Sequence, residues 1–192
     1  QMAVAAATHV DCMMLDCRSL DYKLMSLPEG HAVAVVHSGS VRKLSDSVYN
    51  QRLAECAAAA RTLGVDSLRD ATKEMLGKFA ADTEMKRAKH VISENVRVQT
   101  AVDCLVRNDP SSLGRLMDES HDSLCDDYEV SSPELDRLVF SLRGAGALGA
   151  RLTGAGFGGC VVALCEIASV NTVVSRAVEM NPDSYLIDLI GN

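Results

Sequence analysis

Apolar positions in the first forty residues alternate with polar ones or cluster into short runs, as they do in β-strands. Such stretches occur at 12–17, 23–27 and 32–37, with turn-forming residues between them. They predict three strands before residue 40. Residues 1–8 are also apolar, and we expect them to be the end of a helix.

From residue 45 the apolar positions recur every three or four residues, which indicates amphipathic helices. Helices are predicted at 45–63, 83–107, 110–125, 133–142 and 168–180. Tyr49 and Leu53 fall on the apolar stripe of the first helix. Ser132 can cap the fourth helix, and Pro133 suits its first position. Residues 67–83 are irregular, and two small turns are expected there.

Three further strands are predicted near the end of the chain, at 150–153, 160–165 and 185–190. Strands at both ends with helices between them predict an α+β fold. We expect one ferredoxin-like layer of antiparallel strands, covered by helices on one face. The 192 residues contain no long linker, which favours a single domain over 1–192.

The stretch 149–159, which leads into the strand at 160–165, holds five glycines in eleven residues. Glycine has no Cβ, so such a loop can adopt positive φ and bring backbone N–H groups close to a ligand. N–H groups turned inward together form a concavity that suits phosphate. The alternative is a hairpin whose glycines serve only the turn. Two G-x-G-x-x-G patterns, at 144–149 and 154–159, do not lie between a strand and the helix it opens, so neither predicts a dinucleotide site.

Composition narrows the class of partner. The formal charge of −7 argues against nucleic acid as the main partner, and no run of 18 apolar residues predicts a membrane span. Seven cysteines form no C-x-x-C, and no two histidines stand at i, i+4. We therefore expect a reduced, cytoplasmic protein without a metal centre built from its side chains.

Six stretches of sequence carry a more specific signal. They are D-C-R-S-L at 16–20, S-V-Y-N-Q-R at 47–52 with E-C at 55–56, H-V-I-S-E-N at 90–95, S-H at 120–121 with D-D-Y-E-V at 126–130, P-E-L-D at 133–136, and L-T-G-A-G-F-G-G-C at 152–160. In this order they resemble the C-terminal half of the galactokinase family, in the GHMP kinase superfamily. The last stretch is similar to the third signature motif of that superfamily.

The resemblance implies an enzyme that uses ATP and Mg²⁺ to phosphorylate the C1 hydroxyl of α-D-galactose. Both substrates would lie in a cleft between this half and an N-terminal domain. Tyr49 matches the family tyrosine beside the bound sugar. The loop at the phosphate end of the cleft is matched by Thr153, Gly154, Ala155, Gly156, Phe157, Gly158 and Gly159. We expect Gly156→Val to impair phosphate binding while the domain stays folded.

Other parts of the family pattern do not occur in this sequence. The sugar-gripping G-E-H-x-D-Y and the phosphate-cradling G-L-S-S-S-A of the N-terminal half are absent from it. The carboxylate that the family uses as catalytic base would stand immediately before Gln1. No catalytic residue and no metal ligand is therefore predicted within the chain, and kinase activity is not expected of these 192 residues alone.

Several alternatives stay open on the sequence. The enzyme could act on a related sugar, such as N-acetylgalactosamine or arabinose, or the protein could be a sensor that binds galactose and ATP without catalysis. The chain has His37-Ser38-Gly39 where the family usually has N-S-N, and Cys125 where it usually has Arg. Tyr49 could instead be a core tyrosine.

Three further interpretations concern charged and polar residues. Asp126, Asp127 and Glu129 could form a metal-binding cluster, but a solvated or capping role is favoured at the end of a helix. His121 is interpreted as a helix-packing or capping histidine. Asp16 and Arg18 could form a surface ion pair, which would contribute little to stability.

Overall fold

The computed structural model describes residues 12–40, 46–79 and 83–191. The strands are β1 (Cys12–Leu15), β2 (Tyr22–Met25), β3 (His31–His37), β4 (Gly149–Thr153), β5 (Cys160–Glu166) and β6 (Tyr185–Ile190). The helices are α1 (Asp46–Leu63), α2 (Thr83–Val106), α3 (Pro110–Asp126), α4 (Pro133–Ala145) and α5 (Val170–Met180). Two short 3₁₀ helices, Leu68–Asp70 and Lys73–Lys78, occupy the irregular region. None of the helices within these ranges is long and apolar enough to cross a membrane. The helix end predicted at residues 1–8 lies outside the described residues.

Four strands form the main sheet, in the order β4-β5-β3-β6, and every pairing is antiparallel. Strands β1 and β2 pair separately as a hairpin. In the sheet His37 lies between Cys160 of β5 and Tyr185 of β6, and Cys160 also pairs with Thr153 of β4. The end of β3, the start of β6 and the β4–β5 loop therefore meet at one end of the sheet.

One face of the sheet carries the larger core, against α4 and α5. Alternate residues of β3 (Ala32, Ala34 and Val36) are fully buried, as expected of a strand with one face in a core. Ala34, Val36 and the matching residues of β4 and β5 pack against the apolar faces of α4 and α5, including Leu135, Leu138, Val139, Leu142, Val170, Val173, Val174 and Ala177. The face predicted for α4 is confirmed, and the Ser132 hydroxyl accepts a hydrogen bond from the Leu135 N–H at 3.3 Å.

The opposite face of the sheet is also partly covered, so the expectation of helices on one face was wrong. Leu164 is fully buried there and packs with Cys104 of α2 and Leu113 of α3, beside Val33. The sequence did not indicate this because the single apolar stripe of a helix does not tell which side of a sheet it meets.

A separate cluster joins α1 to α2. It is formed by Ala59, Ala60, Leu63, Leu68, Ala88 and Ile92. These α1 residues come from the C-terminal half of the helix. Tyr49 and Leu53, in the N-terminal half, are 56% and 61% exposed, so the stripe predicted through them is not a buried face. The interpretation of Tyr49 as a core residue was therefore wrong.

Helix α3 closes the exposed edge of the sheet at β4. The backbones of the helix and the strand are in direct contact at Gly114 and Gly149. A Cβ at Gly149 would lie only 2.0 Å from the Gly114 carbonyl oxygen. Asp118 Oδ1 accepts a hydrogen bond from the Ala150 N–H at 2.9 Å, and His121 Nδ1 accepts one from the Leu152 N–H at 3.4 Å. Side chains of α3 thus occupy donors that an edge strand would otherwise leave open to pairing.

Candidate functional site

The glycine-rich loop between β4 and β5 has a backbone that ordinary residues rarely adopt. Gly154 has a φ of 80°, and the four consecutive residues 156–159 have φ values of 79°, 58°, 120° and 88°. Three of those four are glycines; the fourth, Phe157, anchors the loop by packing its ring against the main core. The backbone has the positive φ values that the glycines of this stretch allow, as expected from the sequence.

Two neighbouring segments hold the loop in place. The Phe157 N–H donates to the Val130 carbonyl at 2.7 Å, and a Cβ at Gly156 would lie 2.1 Å from the same oxygen. On the other side the Ser38 N–H donates to the Gly159 carbonyl at 2.8 Å, and the Gly159 N–H donates to the Ser40 carbonyl at 3.0 Å. The loop is therefore fixed between residues 38–40 and the segment that follows α3.

The remaining loop amides differ in their partners. The Gly156 N–H closes a hydrogen-bonded turn at 154–155, whereas the N–H groups of Gly154, Ala155 and Gly158 donate to no residue in the described ranges. Gly156 and Gly158 are nonetheless buried. Buried backbone N–H groups nearly always have a partner, and the Gly158 amide has none within the described ranges.

Tyr49 has an exposed ring, and its helix contacts the segment that follows α3. One turn further along α1, Arg52 donates to the Tyr128 carbonyl at 2.8 Å and to the Glu129 carbonyl at 3.1 Å. The next residue, Val130, is the one that holds the glycine loop. The structure therefore attaches the Tyr49 helix and the loop to one short segment, residues 128–130.

A buried arginine also forms hydrogen bonds with that segment. Arg87 is 1% exposed and donates to Glu55 Oε2 at 2.6 Å, to Glu129 Oε2 at 2.7 Å and to the Asp127 carbonyl at 2.6 Å. Hydrogen bonds from Arg87 and Lys86 lower the pKa of Glu129 to about 2. Glu129 is thus an ion-paired structural residue. The sequence alone had suggested only a solvated or capping role for it.

Asp127 caps α3 as predicted. It is the C-cap residue of the helix, and its carboxylate accepts hydrogen bonds from Lys89 at 2.9 Å and from the Ser123 hydroxyl at 3.3 Å. A metal-binding role for these acidic residues is not supported by their contacts, because the carboxylates of Asp127 and Glu129 are turned to different cations.

His121 packs between α3 and β4, as the sequence suggested, but it also belongs to a cluster that the sequence analysis missed. Its imidazole lies beside the Cys125 thiol and the Asp136 carboxylate. The sequence has no histidine pair at i, i+4 and no C-x-x-C, but it has a histidine and a cysteine at i, i+4 in α3. That spacing puts both side chains on one helical face and was readable in advance.

The larger cavities of the described ranges lie away from the predicted residues. Cavities of about 420, 400 and 300 Å³ are lined by α2 together with α3 or β1. None of these three is lined by Tyr49 or by residues 153–159. Of the predicted site residues, Tyr49 and Gly154 are exposed, whereas Gly156, Gly158 and Gly159 are buried.

Comparison with known proteins identifies the family. The family model described as GHMP kinases C terminal matches residues 101–182. The galactokinase of Actinobacillus pleuropneumoniae is 44% identical over 172 residues, which cover 85% of this chain and 45% of that protein. The chain contains the C-terminal domain of the GHMP kinase family. The galactokinase of Roseiflexus sp. (strain RS-1) is 45% identical over 169 residues, 83% of this chain and 43% of its own length.

Solved structures agree with the GHMP kinase assignment. The Lactococcus lactis galactokinase complexed with galactose superposes with a TM-score of 0.84 at 31% identity, over 94% of this chain and 50% of its own. The L. major mevalonate kinase in complex with R-mevalonate has a TM-score of 0.61 at 22% identity, which shows a shared fold. The chain has the α+β fold of the GHMP kinase C-terminal domain, as predicted, and it spans about half the length of the relatives it matches.

Proposed function

We propose that this chain is the C-terminal domain of a galactokinase, forming a single domain over residues 1–192. In the complete enzyme it would help to transfer the γ-phosphoryl group of ATP to the C1 hydroxyl of galactose. Identity of 44% to a galactokinase over 172 residues supports this reaction above others of the family. The structural relative at 31% identity, which is described as complexed with galactose, supports the same sugar.

The observation that carries the proposal is the set of loop amides without partners. Phosphoryl transfer depends mainly on positioning the phosphates and neutralising their charge. The N–H groups of Gly154, Ala155 and Gly158 can donate hydrogen bonds to phosphate oxygens, and no loop side chain other than Phe157 is bulky. The Thr153 hydroxyl, at the end of β4, adds a further donor.

The same residues fit ATP better than they fit a metal ion. Mg²⁺ binds through oxygen ligands, chiefly carboxylates, substrate phosphates and water. Residues 153–159 contain no carboxylate, so these residues would hold the phosphates, and Mg²⁺ would be held by the phosphate oxygens and by groups outside the loop. When bound, Mg²⁺ would neutralise charge on the transferred group.

Tyr49 would contact the sugar. Its phenol is exposed and belongs to the helix that Arg52 ties to residues 128–130, the segment that also supports the loop. A phenol offers an apolar face to the ring carbons of a hexose and a hydroxyl to its oxygens. Sugar and phosphate would thus be placed from one shared support.

The proposed partner is an N-terminal domain that covers these residues. Tyr49 and Gly154 are exposed, whereas enclosed sites bury most of a ligand. The catalytic base and the two N-terminal motifs of the family are not among these 192 residues. The chain would therefore contribute the phosphate-facing loop and Tyr49, and the other domain would contribute the base.

The test uses the complete gene product and measures ADP release with Mg²⁺ and ATP. We expect turnover with galactose, and slower turnover with N-acetylgalactosamine or arabinose. Faster turnover with either of those sugars would identify a related kinase. Binding of galactose and ATP without turnover would identify a sensor.

A pair of substitutions at Thr153 tests the loop itself. Thr153→Val removes the hydroxyl at nearly constant volume and should raise the KM for ATP about tenfold or more, because a hydrogen bond to a charged group is lost. Thr153→Ser keeps the hydroxyl and should stay close to the wild type. Equal values for all three proteins would remove Thr153 from the site.

A further inference from the structure

A histidine, a cysteine and a carboxylate converge where α3 meets α4. His121 Nε2 lies 3.5 Å from Cys125 Sγ and 3.4 Å from Asp136 Oδ1, and the Cys125 sulfur lies 3.2 Å from the same oxygen. His121 and Cys125 stand one turn apart on α3, and Asp136 belongs to the first turn of α4. The Ser131 hydroxyl donates to the Asp136 oxygen from the connecting turn.

These three separations are close to those between the ligands of a tetrahedral metal ion. Zinc bonds of roughly 2.3 Å to sulfur, 2.0–2.1 Å to nitrogen and 2.0–2.2 Å to oxygen, opened at tetrahedral angles, place the ligand atoms about 3.4–3.6 Å apart. We propose that His121, Cys125 and Asp136 bind a transition-metal ion of the Zn²⁺ class, with water as the fourth ligand.

The chemistry of the three groups selects this class of ion. A thiolate and an imidazole favour Zn²⁺ and its neighbours, whereas Mg²⁺ and Ca²⁺ prefer oxygen ligands alone. His121 is 4% exposed, and the Asp136 side chain is half exposed, so an ion can enter from the Asp136 side and keep one water there. The site is separate from the glycine loop and does not depend on the proposed kinase function.

Binding would exchange a proton for the metal. Burial raises the pKa of the Cys125 thiol to about 12, so without an ion the sulfur carries its proton. Burial also lowers the pKa of His121, which keeps the imidazole neutral and available as a ligand. The ion would form the bond to sulfur as the S–H bond breaks, and the proton would pass to solvent.

One existing hydrogen bond would be given up. His121 Nδ1 now accepts the Leu152 N–H at 3.4 Å, a long bond. Coordination through Nε2 leaves the ring proton on Nδ1, so two N–H groups would then face each other. The Leu152 amide therefore becomes a reporter, because its protection from hydrogen exchange should fall when the ion binds.

The ion would stabilise the connection from α3 to α4. That connection contains Val130, whose carbonyl holds the Phe157 N–H of the glycine loop. A bound ion would thus stiffen the support of the loop without touching the loop. The structural alternative is a cluster of ordinary hydrogen bonds among the same three side chains, and a titration separates the two.

The experiment is a titration of the chelator-treated chain with Co²⁺, a spectroscopic substitute for Zn²⁺. We expect one equivalent to bind with sulfur-to-cobalt charge-transfer absorption and with visible bands of tetrahedral intensity, and Zn²⁺ to displace it. Cys125→Ser should abolish the charge-transfer band, and Asp136→Asn, at a half-exposed position, should weaken binding at least tenfold. Cys17→Ser removes an exposed thiol elsewhere and should leave the band unchanged.

Two results would overturn the proposal. The first is a wild-type chain with no charge-transfer band up to millimolar Co²⁺. The second is a band that persists in Cys125→Ser, which would assign it to one of the other six thiols. Circular dichroism of each variant shows whether it is folded, and exchange at the Leu152 amide with and without Zn²⁺ gives a second measurement on the unmodified chain.

Discussion

The Phe157 N–H donates to the Val130 carbonyl at 2.7 Å, and this bond joins the glycine-rich loop to the segment that follows α3. The same carbonyl stands against the Cα of Gly156. Arg52 of α1 and Arg87 of α2 donate hydrogen bonds to the backbone carbonyls of residues 127–129. Because Val130 follows directly, α1 and α2 help to fix the position of the loop. Changes on those helices should therefore reach the loop through Val130.

Gly156→Ala should destabilise the fold. A Cβ there would lie 2.1 Å from the Val130 carbonyl oxygen, and the residue has a φ of 79°. Left-handed backbone and overpacking each cost an ordinary residue a few kcal/mol, so we expect the free energy of unfolding to fall by about 2–5 kcal/mol. The expectation from the sequence that Gly156→Val leaves the domain folded stays a prediction, and the contact with Val130 adds a loss of stability to it. Urea denaturation of the chain measures the change.

Gly144→Ala is the matched control for this substitution. Gly144 lies in α4, with no atom within 4 Å of an added Cβ and without positive φ. Alanine in a helix should leave the chain as stable as before or raise its stability by about 0.5–1 kcal/mol. If both alanine variants lost the same stability, the contact with Val130 would not be the cause.

Arg87→Met should be among the more damaging single changes in α2. It would leave Glu55 and Glu129 without their buried partner and the Asp127 carbonyl without its donor. Breaking a buried ion pair by removing one member costs about 3–5 kcal/mol. The free energy of unfolding, measured by urea denaturation, should fall by that order.

Arg137→Met provides the comparison for Arg87. Its guanidinium is 64% exposed and pairs with Glu134 at 3.5 Å. Exposed pairs of this kind contribute about 0–1 kcal/mol. Similar losses in the two variants would show that burial of Arg87 does not decide its contribution.

The sequence predicted local structure well where one pattern dominates. The strand Tyr185–Ile190 has the predicted ends, and α4 begins at Pro133 behind its Ser132 cap. The prediction from the sequence failed at α1, because the periodicity of apolar residues does not show how much of a helix is covered by other elements. The helix packs through Ala59, Ala60 and Leu63 but leaves its first turns open.

Pairings between distant residues could not be predicted. The sequence suggested that Asp16 and Arg18 could pair, but the Arg18 guanidinium pairs with Asp70, and the Asp16 carboxylate pairs with Arg69. Asp16 Oδ1 accepts a hydrogen bond from the backbone N–H of Arg18 and not from its guanidinium. Partners 52 and 53 residues away depend on how the β1–β2 hairpin docks, which no local pattern encodes.

Tyr49→Ala should separate sugar binding from ATP binding, if the proposed function holds. The side chain is exposed, so the stability of the chain should change by less than about 0.5 kcal/mol. In the complete gene product the KM for galactose should rise about tenfold, the effect of losing one hydrogen bond and a packed ring face. The KM for ATP should stay constant.

Leu53→Ala is the control on the same helix. Leu53 is as exposed as Tyr49 and is given no ligand in the proposed site. It should leave both KM values unchanged. Steady-state kinetics with each substrate varied in turn makes the comparison, and a rise in both KM values for Tyr49→Ala would mean that the tyrosine shapes the site without contacting the sugar.

His90 should make the fold sensitive to mild acid. Its ring stacks on Tyr128 with centroids 4.4 Å apart and its Nδ1 lies 2.9 Å from the Ser123 hydroxyl. Burial lowers its pKa to about 4; Asp127 opposes this shift, and Arg97, Arg151 and Arg87 act in the same direction as burial.

The direction of the pH effect follows from proton binding. In the unfolded chain the histidine has a pKa of about 6.5. Below that pH the imidazole is protonated in the unfolded state and still neutral in the folded state. Stability is full above pH 6.5 and falls as the pH drops toward 4, by about 3 kcal/mol if His90 acts alone. His90→Gln cannot titrate. The difference in unfolding free energy between the wild type and His90→Gln should therefore shrink between pH 7 and pH 4.5, since His121 and the carboxylates titrate alike in both. A difference that stays constant over that interval would mean that His90 has the same pKa in the folded and the unfolded chain.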